Sequence, residues 1–147
     1  IFWLNGAAGT GKATIVTTVS HGCSAQQPSV LGASFLCSQD EKDCSDLRLI
    51  FTTIVYQLAL FHPGFGKQIS LVRKANPDIG DRYSEQQLRK LIVEPLNSVR
   101  NSFPACVVVD GLDECKDTAP ISIILAALSK HVTNLTPLRF FTTSRPE

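Results

Sequence analysis

The segment Gly6-Ala7-Ala8-Gly9-Thr10-Gly11-Lys12 constrains the chain more than any other, because it lies between the apolar run Ile1-Phe2-Trp3-Leu4 and a periodic segment from Ala13 to Val19. A glycine-rich turn between a strand and a helix lets successive backbone N–H groups converge on a phosphate, since no Cβ blocks the approach. The helix that follows directs the positive end of its dipole into the same space. Lys12, at the helix start, adds a full charge that can reach the β- and γ-phosphates of a nucleoside triphosphate. The spacing is that of the phosphate-binding loop G-x-x-x-x-G-K-[ST], with Ala13 where the pattern has a hydroxyl. Thr14 follows it and is placed to reach an α-phosphate.

The rest of the chain continues the alternation of strand and helix that such a loop requires. Ile1 to Asn5 reads as a short buried strand, and Lys12 to His21 as a helix with Ile15, Val16 and Val19 on one face and Gly22 as its stop. Ser29 to Cys37 is a second strand. Residues 38–46 form a polar loop, with Ser45 or Asp46 capping a helix whose apolar positions are Leu47, Ile50, Phe51, Ile54, Val55 and Leu58. Pro63-Gly64 marks its end, a shorter helix covers Lys67 to Lys74, and Asn76 to Gly80 is a turn cluster. Ser84 and Gln87 have capping-box spacing ahead of Leu88, Leu91, Ile92, Leu96 and Val99, with Pro95 expected to kink that helix. Cys106-Val107-Val108-Val109 is a β-branched strand ending in Asp110-Gly111-Leu112-Asp113-Glu114. Thr118 or Asp117 caps the next helix, with Pro120 near its first position and Ile121, Ile124, Leu125, Leu128, Val132 and Leu135 facing inward. Leu138 to Thr143 is the last strand. Such alternation implies an α/β fold, with a parallel sheet covered on both faces.

In sheets of this kind ligands collect beyond the carboxyl ends of the strands, and three of those ends carry reactive side chains. The first ends in the glycine-rich loop. The second delivers Asp110, a carboxylate suited to a magnesium ion that keeps waters and takes most other ligands from phosphate. Asp113 and Glu114 follow and can orient or deprotonate an attacking water. The last strand delivers Arg145, within reach of a γ-phosphate. Each has a plainer reading: Asp110 as a turn cap, Glu114 as a solvated loop charge, Arg145 as a surface residue. Ala13 leaves a bound metal one protein ligand short.

Composition narrows the function classes. With 14 basic and 13 acidic residues the formal net charge is +1, which argues against a general binder of nucleic acid or of membrane surfaces. No apolar run approaches the roughly 20 residues of a spanning helix. The five cysteines, Cys23, Cys37, Cys44, Cys106 and Cys115, form no C-x-x-C pair and point to reduced, packed thiols in an intracellular protein. The chain lacks methionine, begins within a strand and stops directly after another. It therefore reads as one domain, residues 1–147, cut from a longer protein.

The set GAAGTGKAT, SFLCSQD, DLRLIFTTIVYQLA, CVVVDGLDEC and FFTTSRPE, spanning nearly the whole chain, resembles the NACHT domain of STAND-class P-loop NTPases. The closest likeness is to the nephrocystin 3-like N-terminal type found in fungi. Its most specific part is DGLDE, with a small residue after the aspartate and the acidic pair three residues beyond it. The resemblance implies a three-layer α/β/α sandwich with strand order 2-3-4-1 and a fifth strand beyond Glu147. It implies that Gly6 to Lys12, Ala13 and Thr14 surround the phosphates of ATP or GTP, that Asp110 serves Mg²⁺, that Asp113 or Glu114 serves hydrolysis, and that Arg145 is the sensor arginine. It also implies an NLR-like signalling switch whose nucleotide state acts on flanking domains of the same chain and permits homo-oligomerisation, with no nucleic-acid or membrane partner. Slow NTP hydrolysis and a non-catalytic nucleotide-holding scaffold are the two behaviours left open; a small-molecule kinase fits less well, since no arginine-rich lid is visible.

Overall fold

In the computed structural model, described over residues 1–40, 47–82, 84–99, 104–115 and 121–146, a parallel sheet orders its strands β1-β4-β3-β2. The strands are β1 (Phe2–Asn5), β2 (Leu31–Leu36), β3 (Ala105–Asp110) and β4 (Leu138–Ser144). This is the expected order, read from the opposite edge. The helices are α1 (Lys12–Ser24), α2 (Leu47–Phe61), α3 (Pro63–Ala75), α4 (Ser84–Gln87), α5 (Glu94–Asn97) and α6 (Ile121–Lys130), with a π-helical segment over Leu88–Val93 joining α4 to α5. The expected caps Ser45, Asp46, Asp117 and Thr118, and Pro120, lie outside the described residues.

Alternation along each strand sends neighbouring side chains to opposite faces. Ser34, Val108, Phe141 and Phe2 lie abreast on one face, and Phe35, Val109, Thr142 and Trp3 on the other. The second face carries the core. Ala33, Phe35, Val107, Val109 and Phe140 pack there with Ile50, Phe51, Ile54 and Leu58 of α2, Leu88 to Leu96, and Ile124 and Leu128 of α6. α1 lies on the first face, where Val16 is its buried apolar residue and Ile15 is 44% exposed. The sandwich has three layers, but unequal ones.

Several local expectations change. β1 is not buried: it is an edge strand, with Phe2 59% and Trp3 47% exposed, because a short apolar run does not reveal whether both of its flanks are occupied. Gly22 does not stop α1, which runs on to Ser24. Pro63 begins α3 rather than only closing α2: it sits in the first turn, where a missing N–H costs nothing, and His62 Nδ1 accepts the Phe65 N–H at 3.2 Å. Gln87 is fully buried and donates to the Gly80 carbonyl at 2.6 Å, so it serves the preceding turn instead of a capping box. The disturbance expected from Pro95 takes the form of π winding just before it, with the Glu94 N–H reaching five residues back to Arg89. α6 ends at Lys130, so Leu135 is buried from the following turn while Val132 is 44% exposed.

Candidate functional site

β1 and β4 pair Asn5 with Ser144, so the loop after β1 starts beside the end of β4. The Gly6 N–H donates to the Ser144 carbonyl at 3.3 Å, and the Trp3 indole N–H donates to Ser144 Oγ at 3.0 Å. Within the loop Gly9 and Gly11 have φ of 76° and 84°, left-handed values that a side chain disfavours. Gly11 is the N-cap of α1 and supplies no side-chain cap. The first helical bond is Ile15 N–H to the Gly11 carbonyl at 3.1 Å, which leaves the preceding N–H groups of the helix start facing outward without intrahelical partners. Thr10 Oγ1 donates to the Ala7 carbonyl at 2.8 Å. Lys12 Nζ folds back onto the loop, donating to the carbonyls of Gly6 at 2.5 Å and Ala7 at 2.8 Å.

β3 ends opposite this loop. Its last residue, Asp110, accepts a short hydrogen bond from the Thr143 hydroxyl, and that hydroxyl in turn accepts the Gly111 N–H at 2.9 Å. Gly111 turns the chain with φ of 70°, and a Cβ there would stand 3.2 Å from the Cys37 carbonyl oxygen. β2 is tied to the same turn, since the Cys37 N–H donates to the Asp110 carbonyl at 2.8 Å. Beyond the turn the two carboxylates separate in role. Asp113, 5% exposed, accepts the Arg145 N–H at 2.9 Å and pairs with Arg145 Nε at 3.0 Å. Glu114, 38% exposed, is 3.9 Å from the same guanidinium.

These parts wall one cavity of about 490 Å³, lined by Ala8, Gly9, Gly11, Lys12 and Ala13 on one side and by Asp110, Gly111, Asp113, Glu114, Thr143 and Arg145 on the other, with Leu36 and Cys37 at its flank. Of the sequence-derived site residues, Gly6, Ala7, Thr10 and Thr14 lie outside that wall. The first three shape the loop from behind. Thr143 was not singled out in the sequence. Its signal is the hydroxyl run Thr142-Thr143-Ser144, all three buried, closing a strand whose earlier residues are apolar except for the exposed Arg139.

Chemically the cavity offers an ammonium group, helix-start N–H donors without intrahelical partners, a half-exposed guanidinium and three carboxylates, of which Asp110 accepts the Thr143 hydroxyl and Asp113 holds Arg145. Such a set suits a polyanion that arrives with a counter-cation. Among the described residues no three His, Cys, Asp or Glu side chains cluster to hold a metal unaided. At the far end of α1 the Cys106 thiol is pushed up to about 12 by burial and by its hydrogen bond with Cys23, so it stays protonated and acts as packing. No helix among the described residues is long and apolar enough to cross a membrane.

Compared with known proteins, residues 1–145 match one family model, described as Nephrocystin 3, N-terminal. No curated protein and no solved structure matches the chain.

Proposed function

The chain belongs to the Nephrocystin 3, N-terminal family, and from that premise we propose that it is a nucleoside-triphosphate-binding switch module of the NACHT/STAND class. The observation that carries the reading is the convergence of three strand ends on one cavity of about 490 Å³ walled by the glycine-rich loop, Asp110, Glu114 and Arg145. ATP or GTP would place its phosphates against the N–H groups of Gly9 to Ala13. Lys12 would leave the Gly6 and Ala7 carbonyls and turn its charge to the β- and γ-phosphates. Glu114 is the carboxylate better placed to orient a water, because Asp113 holds Arg145 at 3.0 Å while Glu114 stands 3.9 Å from the same guanidinium. Arg145 keeps half of its surface open to meet charge on the γ-phosphate.

The donor set also fits Mg²⁺, which would supply charge neutralisation for phosphoryl transfer. Asp110 lines the same cavity as Ala13, and one carboxylate is the usual protein share for this ion, with phosphate oxygens and waters completing the shell. Ala13 contributes no ligand, so judged on the loop's own residues hydrolysis would be slow. Ala13 equally favours a second reading, a nucleotide-holding scaffold without turnover, and steady-state phosphate release separates the two. In either case the nucleotide state would act on flanking domains of the same chain and on homo-oligomerisation, within an intracellular setting and without nucleic acid or membrane.

Titration with a fluorescent ATP or GTP analogue tests the premise. Lys12→Ala removes the cation and should cost about 1.5–3 kcal/mol, one to two decades in Kd. An unchanged Kd would remove the loop from the binding site.

A further inference from the structure

The loop lacks a hydroxyl at position 13, yet Asp110 does not lack a hydroxyl partner. Thr143 lines the same cavity from β4 and donates to one oxygen of Asp110. A threonine hydroxyl has one proton and two lone pairs. The proton is committed to Asp110, and one lone pair accepts the Gly111 N–H at 2.9 Å. One lone pair remains, on a residue that lines the cavity, beside a carboxylate whose second oxygen makes no hydrogen bond among the described residues.

Resting on the nucleotide site proposed above, we propose that Thr143 supplies, from the last strand, the metal-facing hydroxyl that residue 13 does not, so that Asp110 and Thr143 together form the protein's half of a Mg²⁺ site. The hydrogen bond fixes the rotation of the Asp110 carboxyl group before any ion arrives. The Gly111 N–H fixes the hydroxyl itself. That matters because Mg²⁺ demands near-ideal octahedral geometry at short distances and rewards donors that are already placed. The neighbouring Thr142 has its Oγ1 buried without a partner among the described residues, so the pairing of Thr143 with Asp110 is particular to the side of the strand that meets the cavity.

The test measures Kd for a fluorescent nucleotide with Mg²⁺ and with EDTA, which reads metal dependence without requiring turnover. In the parent protein Mg²⁺ should tighten binding. Thr143→Val should erase tenfold or more of that tightening, read as the ratio of the EDTA and Mg²⁺ values in the same variant, whereas Thr143→Ser, which keeps the hydroxyl, should retain it. Ala13→Ser lies at an exposed helix start, and its folding is secure whatever happens to the valine variant. It should add less than threefold, because the site already holds a hydroxyl.

Magnesium dependence that survives Thr143→Val, or is lost equally in Thr143→Ser, overturns the assignment. So does a tenfold gain from Ala13→Ser, which would show a site still short of a ligand. Tight nucleotide binding with no response to Mg²⁺ overturns it while leaving the nucleotide site intact. Absence of nucleotide binding in the parent under both conditions fails the wider function and takes this inference with it.

Discussion

Phe35 and Leu36 are neighbours in β2, yet Phe35 is 8% exposed and Leu36 60%. The difference belongs to the whole sheet. The face bearing Phe35, Val109 and Phe140 is roofed by α2, the segment from Leu88 to Leu96, and α6. Among the described residues the face bearing Leu36, Val108 and Phe141 meets α1, whose inward contribution is Val16. Burial of apolar area is the main favourable term in folding, at about 25 cal/mol per Å². The α2 face therefore carries the stability, and the thinly covered face carries the loop, Lys12 and the open carboxylates. A site that must admit a charged ligand cannot also be the best-packed region, because packing excludes the space and the water that the ligand exchanges with.

The comparison can be broken by mutation. The largest effect should come from the roofed face: Phe51, 1% exposed, lies in the middle of α2, and Phe51→Ala should cost about 3–5 kcal/mol in urea unfolding. A cost below 1 kcal/mol would show that α2 is not the principal roof. Next is the joint between the two faces. Gly111→Ala forces a side chain into a left-handed conformation and towards the Cys37 carbonyl, and should cost about 1–2 kcal/mol. It should also weaken nucleotide binding, since the Gly111 N–H holds Thr143. Loss of stability without loss of binding would uncouple the turn from the site. The smallest effect should come from the thin face: Phe2, 59% exposed and stacked on Phe141 at 5.3 Å, should lose about 1 kcal/mol or less as Phe2→Lys. Static light scattering should fall in that variant, because a charge on an open edge opposes strand pairing between molecules. Rising scatter would mean that β1 is not the adhesive edge.

Much of this arrangement was legible in the residues. Gly6 to Lys12 fixed the place of β1 and α1, and the run Val107 to Val109 ending in Asp110 announced a buried strand with a polar tip. Strand order followed from the family resemblance and matches the structure. The unread part consists of facts about partners. Asp113 and Glu114 are adjacent and alike in sequence, and nothing in spacing says that Arg145, 32 residues from Asp113, will bond that one at 3.0 Å and stand 3.9 Å from the other. Thr143 likewise gains its role only when β3 and β4 lie side by side. Ile1 to Asn5 is apolar in either environment, so its own residues read as a buried strand, and its place at an edge came only with the strand order that the resemblance implies. Gln87 had a local explanation, capping, that a nonlocal one displaced: a buried amide bonding the turn at Gly80.

The two rims of the sheet are finished differently. Beyond β2 the Gln57 side chain stands in for a neighbouring chain, its Oε1 accepting the Ser34 N–H at 2.9 Å and its Nε2 donating to the Ser34 carbonyl at 2.7 Å. One amide thus imitates a peptide group and closes that rim with the chemistry of a strand. β1 has β4 on one side, and its aromatic residues are open on the other. The sheet therefore has a direction in which it can lengthen. A further strand laid parallel to β1, in keeping with the rest of the sheet, would extend it past β1, and its carboxyl end would come to rest next to Gly6. Assembly at that rim and occupancy of the loop would then be read by the same few residues.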